Sequence, residues 1–139
     1  MKNIFVVVLL AHICAAAYSQ TLNAGTDALP VISLKEINHD FGTVIETDGA
    51  VSYSFEVTNT GTADLIITNV QGSCGCAVPE WSKTPIAPGG KGYVKVTFNP
   101  LNRPGTFNKS IVVTNNSAQS PVTLFIKGTV VKASTETTK

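Results

Sequence analysis

The chain has 139 residues, of which 43% are hydrophobic and 14% are charged. This length suits one domain and leaves no room for a second, since single domains use about 100 to 200 residues. Ten basic residues nearly balance nine acidic ones, so the chain has no basic excess for binding the phosphates of nucleic acid. Composition therefore predicts one lightly charged globular domain and argues against a nucleic-acid partner.

The N-terminal segment has the composition of a secretory signal peptide. Lys2 precedes an apolar run over residues 4–17, interrupted only by His12, and small residues end the run. At about 14 residues the run is shorter than the roughly 20 that a membrane span requires. We expect residues 1–19 to be removed on export, leaving a periplasmic or secreted protein without a membrane span.

The cysteines and histidines also bear on the location and on any site. Cys14 lies within the apolar run, but Ile13 directly before it is larger than the residue a bacterial lipoprotein signal requires, so a lipid anchor is not expected. Removal of the signal leaves Cys74 and Cys76 as the remaining cysteines and His39 as the remaining histidine. Chemistry that needs a thiol or an imidazole must therefore use these three residues.

The remainder of the chain reads as strands separated by turns. Residues 20–30 and 132–139 are small and polar and are predicted to be a flexible lead-in and a disordered tail. Residues 51–57 alternate apolar and polar side chains, the period of two that is typical of a half-buried strand. No helical period occurs outside the signal. In chain order the predicted strands are 31–37, 41–45, 51–57, 65–70, 94–98, 107–114 and 122–131.

These elements predict an all-β fold, an immunoglobulin-like antiparallel β-sandwich of about seven strands over residues 31–131. Two sheets are needed because a single sheet would leave the apolar face of the 51–57 strand in water. The predicted core consists of Val51, Tyr53, Phe55, Val57, Leu65, Ile67, Val94, Val96, Phe98, Ile111, Val113, Leu124 and Ile126.

A series of short motifs runs through the same residues. In order they are His39-Asp40-Phe41-Gly42-Thr43-Val44, Phe55-Glu56-Val57-Thr58-Asn59-Thr60-Gly61, Leu65-Ile66-Ile67-Thr68-Asn69-Val70, Ser73-Cys74-Gly75-Cys76, Ile86-Ala87-Pro88-Gly89-Gly90, Val96-Thr97-Phe98-Asn99-Pro100 and Ile111-Val112-Val113-Thr114-Asn115. Together they resemble the bacterial family of domain of unknown function 1573, common in Bacteroidetes, and more distantly PapD-like and ciliary Ig-type attachment domains. The resemblance implies an Ig-like fold, an envelope location and a binding role, with no catalytic residue and no cofactor.

The segment Cys74-Gly75-Cys76 is the candidate site, in the long connection predicted after the 65–70 strand. Two thiols outside the cytoplasm are expected to form a disulfide with each other. Extended chain would place their α-carbons about 6.8 Å apart, at the upper limit for a disulfide, so a bend at Gly75 is required. Closure entropy of so short a loop adds little stability, which makes a purely stabilising bridge a poor explanation.

Three interpretations of this pair stay open. The first is a structural bridge that pins the loop, with Trp81 packed beside it. The second is a redox-active disulfide. The third is a copper(I) or zinc site formed by Cys74 and Cys76, for which His39 is a weak further candidate ligand.

The sequence favours a function in binding rather than in catalysis. His39 has no nucleophile and orienting acid placed with it, so no catalytic residue is predicted. Gly75 and Trp81 are candidate loop contacts with a partner. We therefore expect an exported, non-enzymatic module that binds an envelope protein or a glycan without a cofactor, the alternative being a small thiol-redox or soft-metal protein.

Export gives a direct test. Expressed in a bacterium with its own N-terminus, the protein is expected to begin at Gln20, because Ala17-Tyr18-Ser19 fits the small-x-small pattern of signal cleavage. The intact mass of the purified protein measures this start. A chain beginning at Tyr18 would move the cleavage to Ala17, whereas a chain still beginning at Met1 would contradict the signal interpretation.

Overall fold

The computed structural model describes residues 27–134. The predicted signal peptide (1–19), residues 20–26 of the lead-in and residues 135–139 of the tail lie outside the described residues. Within residues 27–134 the chain forms strands and no helix that could cross a membrane. The eight strands are β1 (Ile32–Leu34), β2 (Asn38–Ile45), β3 (Val51–Asn59), β4 (Ile67–Gly72), β5 (Ala77–Trp81), β6 (Lys91–Phe98), β7 (Gly105–Asn115) and β8 (Val122–Val131).

The strands form two four-stranded sheets, which confirms the predicted all-β sandwich. The first sheet has the order β1-β3-β6-β5 and the second the order β2-β8-β7-β4. Neighbouring strands are antiparallel except β2 and β8, which are parallel. This parallel pair departs from the predicted antiparallel arrangement. It is possible because β2 and β8 lie far apart in the chain, and parallel neighbours need a long connection.

Strand β5 is the one that the sequence did not predict. Its residues were assigned to the long connection after the 65–70 strand, but they pair with β6 from Ala77↔Phe98 to Trp81↔Val94. The strand is short and contains Pro79, which lacks the N–H that a central strand must donate. Proline is tolerated here because β5 is the edge of its sheet.

The predicted core is largely the observed one. All of its members are buried except Val51 and Tyr53, which are partly exposed. Val51 begins β3 at the end of the sandwich where the two sheets open, and the ring of Tyr53 stacks on that of His39. Further buried side chains that the alternation did not identify are Ile32, Val44, Val70, Cys76, Ala77, Ile86 and Val130.

Asn59 ties three segments together at the opposite end of the sandwich. It lies beyond the predicted 51–57 strand, but it ends β3 and is fully buried. Its Oδ1 accepts hydrogen bonds from the backbone N–H of Gly61 at 3.0 Å and of Val31 at 3.3 Å. Its Nδ2 donates to the carbonyl oxygens of Ala63 at 2.7 Å and Ile86 at 2.8 Å. One amide side chain thus satisfies four buried or partly buried backbone groups.

The chain just before β1 is anchored to the same turn. The carbonyl oxygen of Leu29 accepts a hydrogen bond from the backbone N–H of Thr62 at 2.8 Å. Gly61 lies so close that a Cβ there would collide with the Leu29 carbonyl oxygen. The backbone of Leu29 is therefore attached to the sandwich, although its side chain is exposed.

Replacing Asn59 by alanine is expected to destabilise the domain by about 3 kcal/mol, because four backbone groups lose their partner inside the protein. Asn116 is the matched control, since it is exposed and its side chain bonds the backbone of Ile66 and Asp64. Asn116→Ala should cost about 1 kcal/mol or less, because water can replace it. Urea midpoints at unchanged m-value measure both losses. Equal losses would contradict the role of Asn59.

Candidate functional site

The cysteine segment is a crossover between the two sheets. It joins β4, an edge strand of the second sheet, to β5, an edge strand of the first. The two strands approach closely at this point, because a Cβ on Gly72 would lie 2.5 Å from the carbonyl oxygen of Ala77. Glycine at position 72 therefore lets the chain change sheets within a few residues.

Cys74 and Cys76 form a disulfide within this crossover, with their α-carbons 5.3 Å apart, inside the ordinary range. The chain does bend between them, but Gly75 does not have a positive φ. A Cβ on Gly75 would meet nothing within 4 Å. Neither backbone conformation nor packing in the described residues therefore requires glycine there.

Backbone hydrogen bonds hold the crossover in place from both sides. The N–H of Ser73 donates to the carbonyl oxygen of Ser110 in β7 at 2.9 Å. The N–H of Asn99, just after β6, donates to the carbonyl oxygen of Cys76 at 3.1 Å. The crossover is thus fixed to both sheets by contacts that do not involve sulfur.

An open groove of about 540 Å³ lies against the disulfide, at the end of the sandwich. We call it the cysteine groove. Two of its aromatic rings, those of Phe98 and Phe107, stack with centroids 4.0 Å apart. Its volume lies in the range of ligand-binding pockets. The lining residues are Cys74, Gly75, Cys76, Phe98, Arg103, Pro104, Thr106, Phe107 and Lys109.

Lys109 occupies an unusual position for a charged residue. It lies in β7 two residues before the buried Ile111 and pairs across the sheet with the buried Ile126, so it belongs to the core-facing row of its strand. Lys109 is half-buried. Among residues 27–134, no carboxylate lies within 4.0 Å of its ammonium group. Its side chain lines the open groove, and its charge is not used in an ion pair among the described residues.

Arg103 adds a second positive charge to the groove. Its guanidinium Nη1 donates to the carbonyl oxygen of Leu101 at 2.9 Å, which fixes the side chain against its own loop. That loop begins at Asn99, whose N–H is bonded to Cys76. Of the described residues, those that line the groove include no aspartate or glutamate. The groove therefore combines two cations, an aromatic wall and a disulfide.

A second depression, of about 410 Å³, shares Thr106 and Phe107 with the cysteine groove, and its charges are balanced. Its cation is Lys127, whose Nζ lies 3.5 Å from Oδ2 of Asp40. A hydrogen bond from the backbone N–H of Gly42, assisted by Lys127, lowers the pKa of Asp40. Because the carboxylate already neutralises Lys127, this depression has less attraction for an anion than the cysteine groove.

Trp81 is placed away from the disulfide. It ends β5, four residues after Ala77, which along a strand is about 13 Å. Its indole Nε1–H donates to the carbonyl oxygen of Ile67 at 3.3 Å, and Nζ of Lys83 lies 2.9 Å from its ring centroid. Trp81 therefore lies in a strand, with a cation over its ring, and does not line the groove.

His39 is also separated from the cysteines. It lies in β2, and its ring stacks on that of Tyr53 with centroids 3.5 Å apart. β2 and β4 are opposite edges of the second sheet, three strand spacings or about 14 Å apart. Within residues 27–134 no group of three His, Cys, Asp or Glu side chains could hold a metal ion. The described part of the chain thus brings no third ligand to Cys74 and Cys76.

The sequence indicates the cysteines as site residues but does not indicate Arg103, Phe107 or Lys109. A signal for Lys109 was present, since the alternation that buries Ile111 and Val113 places residue 109 on the same face. Arg103 had no such signal, because its position depends on how the loop after β6 packs against the crossover.

The disulfide is expected to add little stability. A variant with Cys74→Ala and Cys76→Ala should lose about 1 to 2 kcal/mol, below the 2 to 5 kcal/mol typical of native disulfides in small secreted domains, because hydrogen bonds to both sheets already fix the crossover. Gly75→Ala is the control, with an expected change under about 0.5 kcal/mol. Urea midpoints measure both, and an unfolded double variant would show that the bridge is structural.

Comparison with known proteins supports the fold and identifies the family. No curated protein matches the chain. A solved structure of a protein of unknown function from Porphyromonas gingivalis W83 matches with a TM-score of 0.65 and 19% identity, covering 78% of this chain and 51% of that one. The chain thus spans about half the length of that protein. The Vibrio cholerae VesB protease matches with a TM-score of 0.53 and 17% identity, over 73% and 31%.

At these identities the two similarities show the sandwich fold alone. The family match is more informative, because it covers residues 32–130 with the family described as Protein of unknown function (DUF1573). It extends from the start of β1 to the last residue but one of β8 and includes the crossover and the cysteine groove. The chain belongs to the DUF1573 family.

Proposed function

We propose that the protein is an exported, non-enzymatic module of the bacterial cell envelope that binds an acidic segment of another protein in the cysteine groove. The observation that carries this proposal is Lys109, a half-buried cation on the core-facing row of β7 that has no carboxylate within 4.0 Å among the described residues. The signal-like N-terminus supports the location.

A groove is favoured over a sheet edge as the binding surface, because each edge strand carries a feature that discourages pairing with another chain. β1 has three residues, and β5 contains Pro79. The registers of β2 and β4 are both interrupted by irregularities, between Asp40 and Thr43 and between Ile67 and Asn69. Short strands, prolines and bulges are the usual protections of an exposed edge.

A protein partner is favoured over a glycan by the positions of the aromatic side chains. Trp81 would be the natural platform for stacking on a sugar, but Lys83 covers its ring. In the groove, Phe98 is almost fully buried and covers one face of the Phe107 ring, so only the partly exposed Phe107 offers a surface. Two cations beside a small apolar wall suit a peptide with carboxylate side chains better than a glycan. Ion pairs with the cations would orient the peptide, and the apolar wall would provide contact area.

A non-enzymatic role is supported by the separation of the residues that could act as a base. His39 is stacked on Tyr53 at the far edge of the second sheet. The groove itself, over the described residues, is lined by no histidine and no carboxylate. General acid–base catalysis requires such a group within hydrogen-bond reach of the substrate.

The test compares three forms of the mature protein as bait for solubilised envelope proteins of the source bacterium: wild type, Lys109→Glu and Lys35→Glu. Lys35 is exposed and outside the groove, so it controls for the change in net charge. Wild type and Lys35→Glu should retain the same protein, and Lys109→Glu should retain at least about tenfold less, because reversal of a desolvated interfacial charge costs 2 kcal/mol or more.

Thermal unfolding of each variant establishes that it is folded. The retained protein should dissociate as salt is raised, since the interaction is between charges. Equal retention by all three baits, loss with both variants, or retention of a polysaccharide instead of a protein would each contradict the proposal.

A further inference from the structure

We propose that the Cys74–Cys76 disulfide exchanges with thiols, and that the cysteine groove selects thiols that carry a negative charge near the sulfur. The substrate class is an anionic thiol, such as a cysteine flanked by carboxylates in a peptide. The inference uses the same groove as the proposed function, but it concerns the reactivity of the disulfide and is tested without a partner protein.

The disulfide is accessible to an attacking thiol from the groove. Cys74 is partly exposed, whereas Cys76 is 6% exposed. Both line the open groove together with Gly75. Access to the disulfide sulfur is one of the requirements of exchange. The geometry therefore favours attack on Sγ of Cys74, with Sγ of Cys76 as the leaving atom.

The charges of the groove favour both partners of this step. The attacking species is a thiolate, and the leaving Cys76 also becomes a thiolate. Arg103 and Lys109 line the same groove, and neither has a carboxylate within 4.0 Å among residues 27–134. Positive charge in the groove stabilises the negative charge that develops on the leaving sulfur. A second negative charge on the attacking thiol increases its attraction to the groove.

The exchange balances as two displacements. In the first, the thiolate forms a bond to Sγ of Cys74, the bond between Cys74 and Cys76 breaks, and Cys76 leaves as a thiolate. In the second, another thiolate attacks the sulfur of the bound thiol, which departs as part of a small disulfide while Cys74 leaves as a thiolate. Two electrons pass from two thiols to the protein, and each protein thiolate takes up a proton according to its pKa.

The fold makes the reaction reversible. The hydrogen bonds from Ser73 to Ser110 and from Asn99 to Cys76 do not depend on the sulfur atoms. After reduction the crossover stays attached to both sheets, so the two thiols remain close enough to form the bridge again. This supplies a role for a disulfide that closes too short a loop to contribute much stability by chain entropy.

The experiment measures the rate at which three small thiols reduce the oxidised mature protein. They are 2-mercaptoethanesulfonate, which is anionic, 2-mercaptoethanol, which is neutral, and cysteamine, which is cationic. Alkylation after acid quenching and intact mass give the fraction reduced at each time. Each rate is divided by the rate of the same thiol with hydroxyethyl disulfide, which removes differences in intrinsic reactivity.

At low salt the normalised rate is expected to be highest for the anionic thiol, about fivefold lower for the neutral thiol and about fivefold lower again for the cationic thiol. Two positive charges, each about 8 Å from the charge on the thiol, would produce a difference of this size in water. Lys109→Gln should reduce each step to about twofold, and Lys35→Gln should leave it unchanged. High salt should remove the preference. Urea midpoints show that each variant is folded.

Equal normalised rates for the three thiols, an unchanged preference in Lys109→Gln, or no reduction by millimolar thiol would each overturn the inference. Its failure and that of the proposed function are distinguishable. Charge selection among thiols without a retained envelope protein would contradict only the binding proposal, while a retained protein without charge selection would contradict only the exchange.

Discussion

The burial of two sheets against each other is the constraint on which the rest of the structure depends. The inner rows of β3, β6, β7 and β8 supply the buried side chains Phe55, Val94, Val96, Ile111 and Leu124. A chain that has completed β4 in one sheet can contribute to the other only by crossing the gap between them. Because β4 and β5 are edges on the same side, the crossing is short and must lie at an open end of the sandwich. The cysteines occupy this crossing.

The same constraint leaves part of β7 neither fully buried nor fully exposed. Along β7 the core-facing row runs from Val113 and Ile111 to Lys109 and Phe107, so the row leaves the core as it reaches the open end. A lysine there is neither a satisfied core residue nor an ordinary surface residue. Departures from local consistency of this kind occur at functional sites, because the fold gains nothing from them. The proposal of a binding role for the groove therefore rests on Lys109 rather than on the disulfide alone.

The sequence predicts the layers of this fold better than its site. Alternation identified the strand cores that contain Phe55, Val96 and Ile111, because a period of two reports directly which side chains face inward. It failed for β5, where Pro79 interrupts the pattern, and for Asn59, whose turn-forming character hid a fully buried amide. Which residues surround the disulfide depends on strand order and register, and these arise from pairings between distant parts of the chain.

The net charge of the chain likewise does not predict the charge of the site. The near balance of ten basic and nine acidic residues argues against charge-driven binding, yet the charges are not evenly distributed. Lys91, Lys95 and Lys127 lie against carboxylates on the outer faces, in exposed pairs that add little stability. This pairing leaves the groove with a local positive excess. Two cations are far fewer than the phosphate contacts that a nucleic acid requires, whereas the proposed ligand carries a single anionic group beside the disulfide.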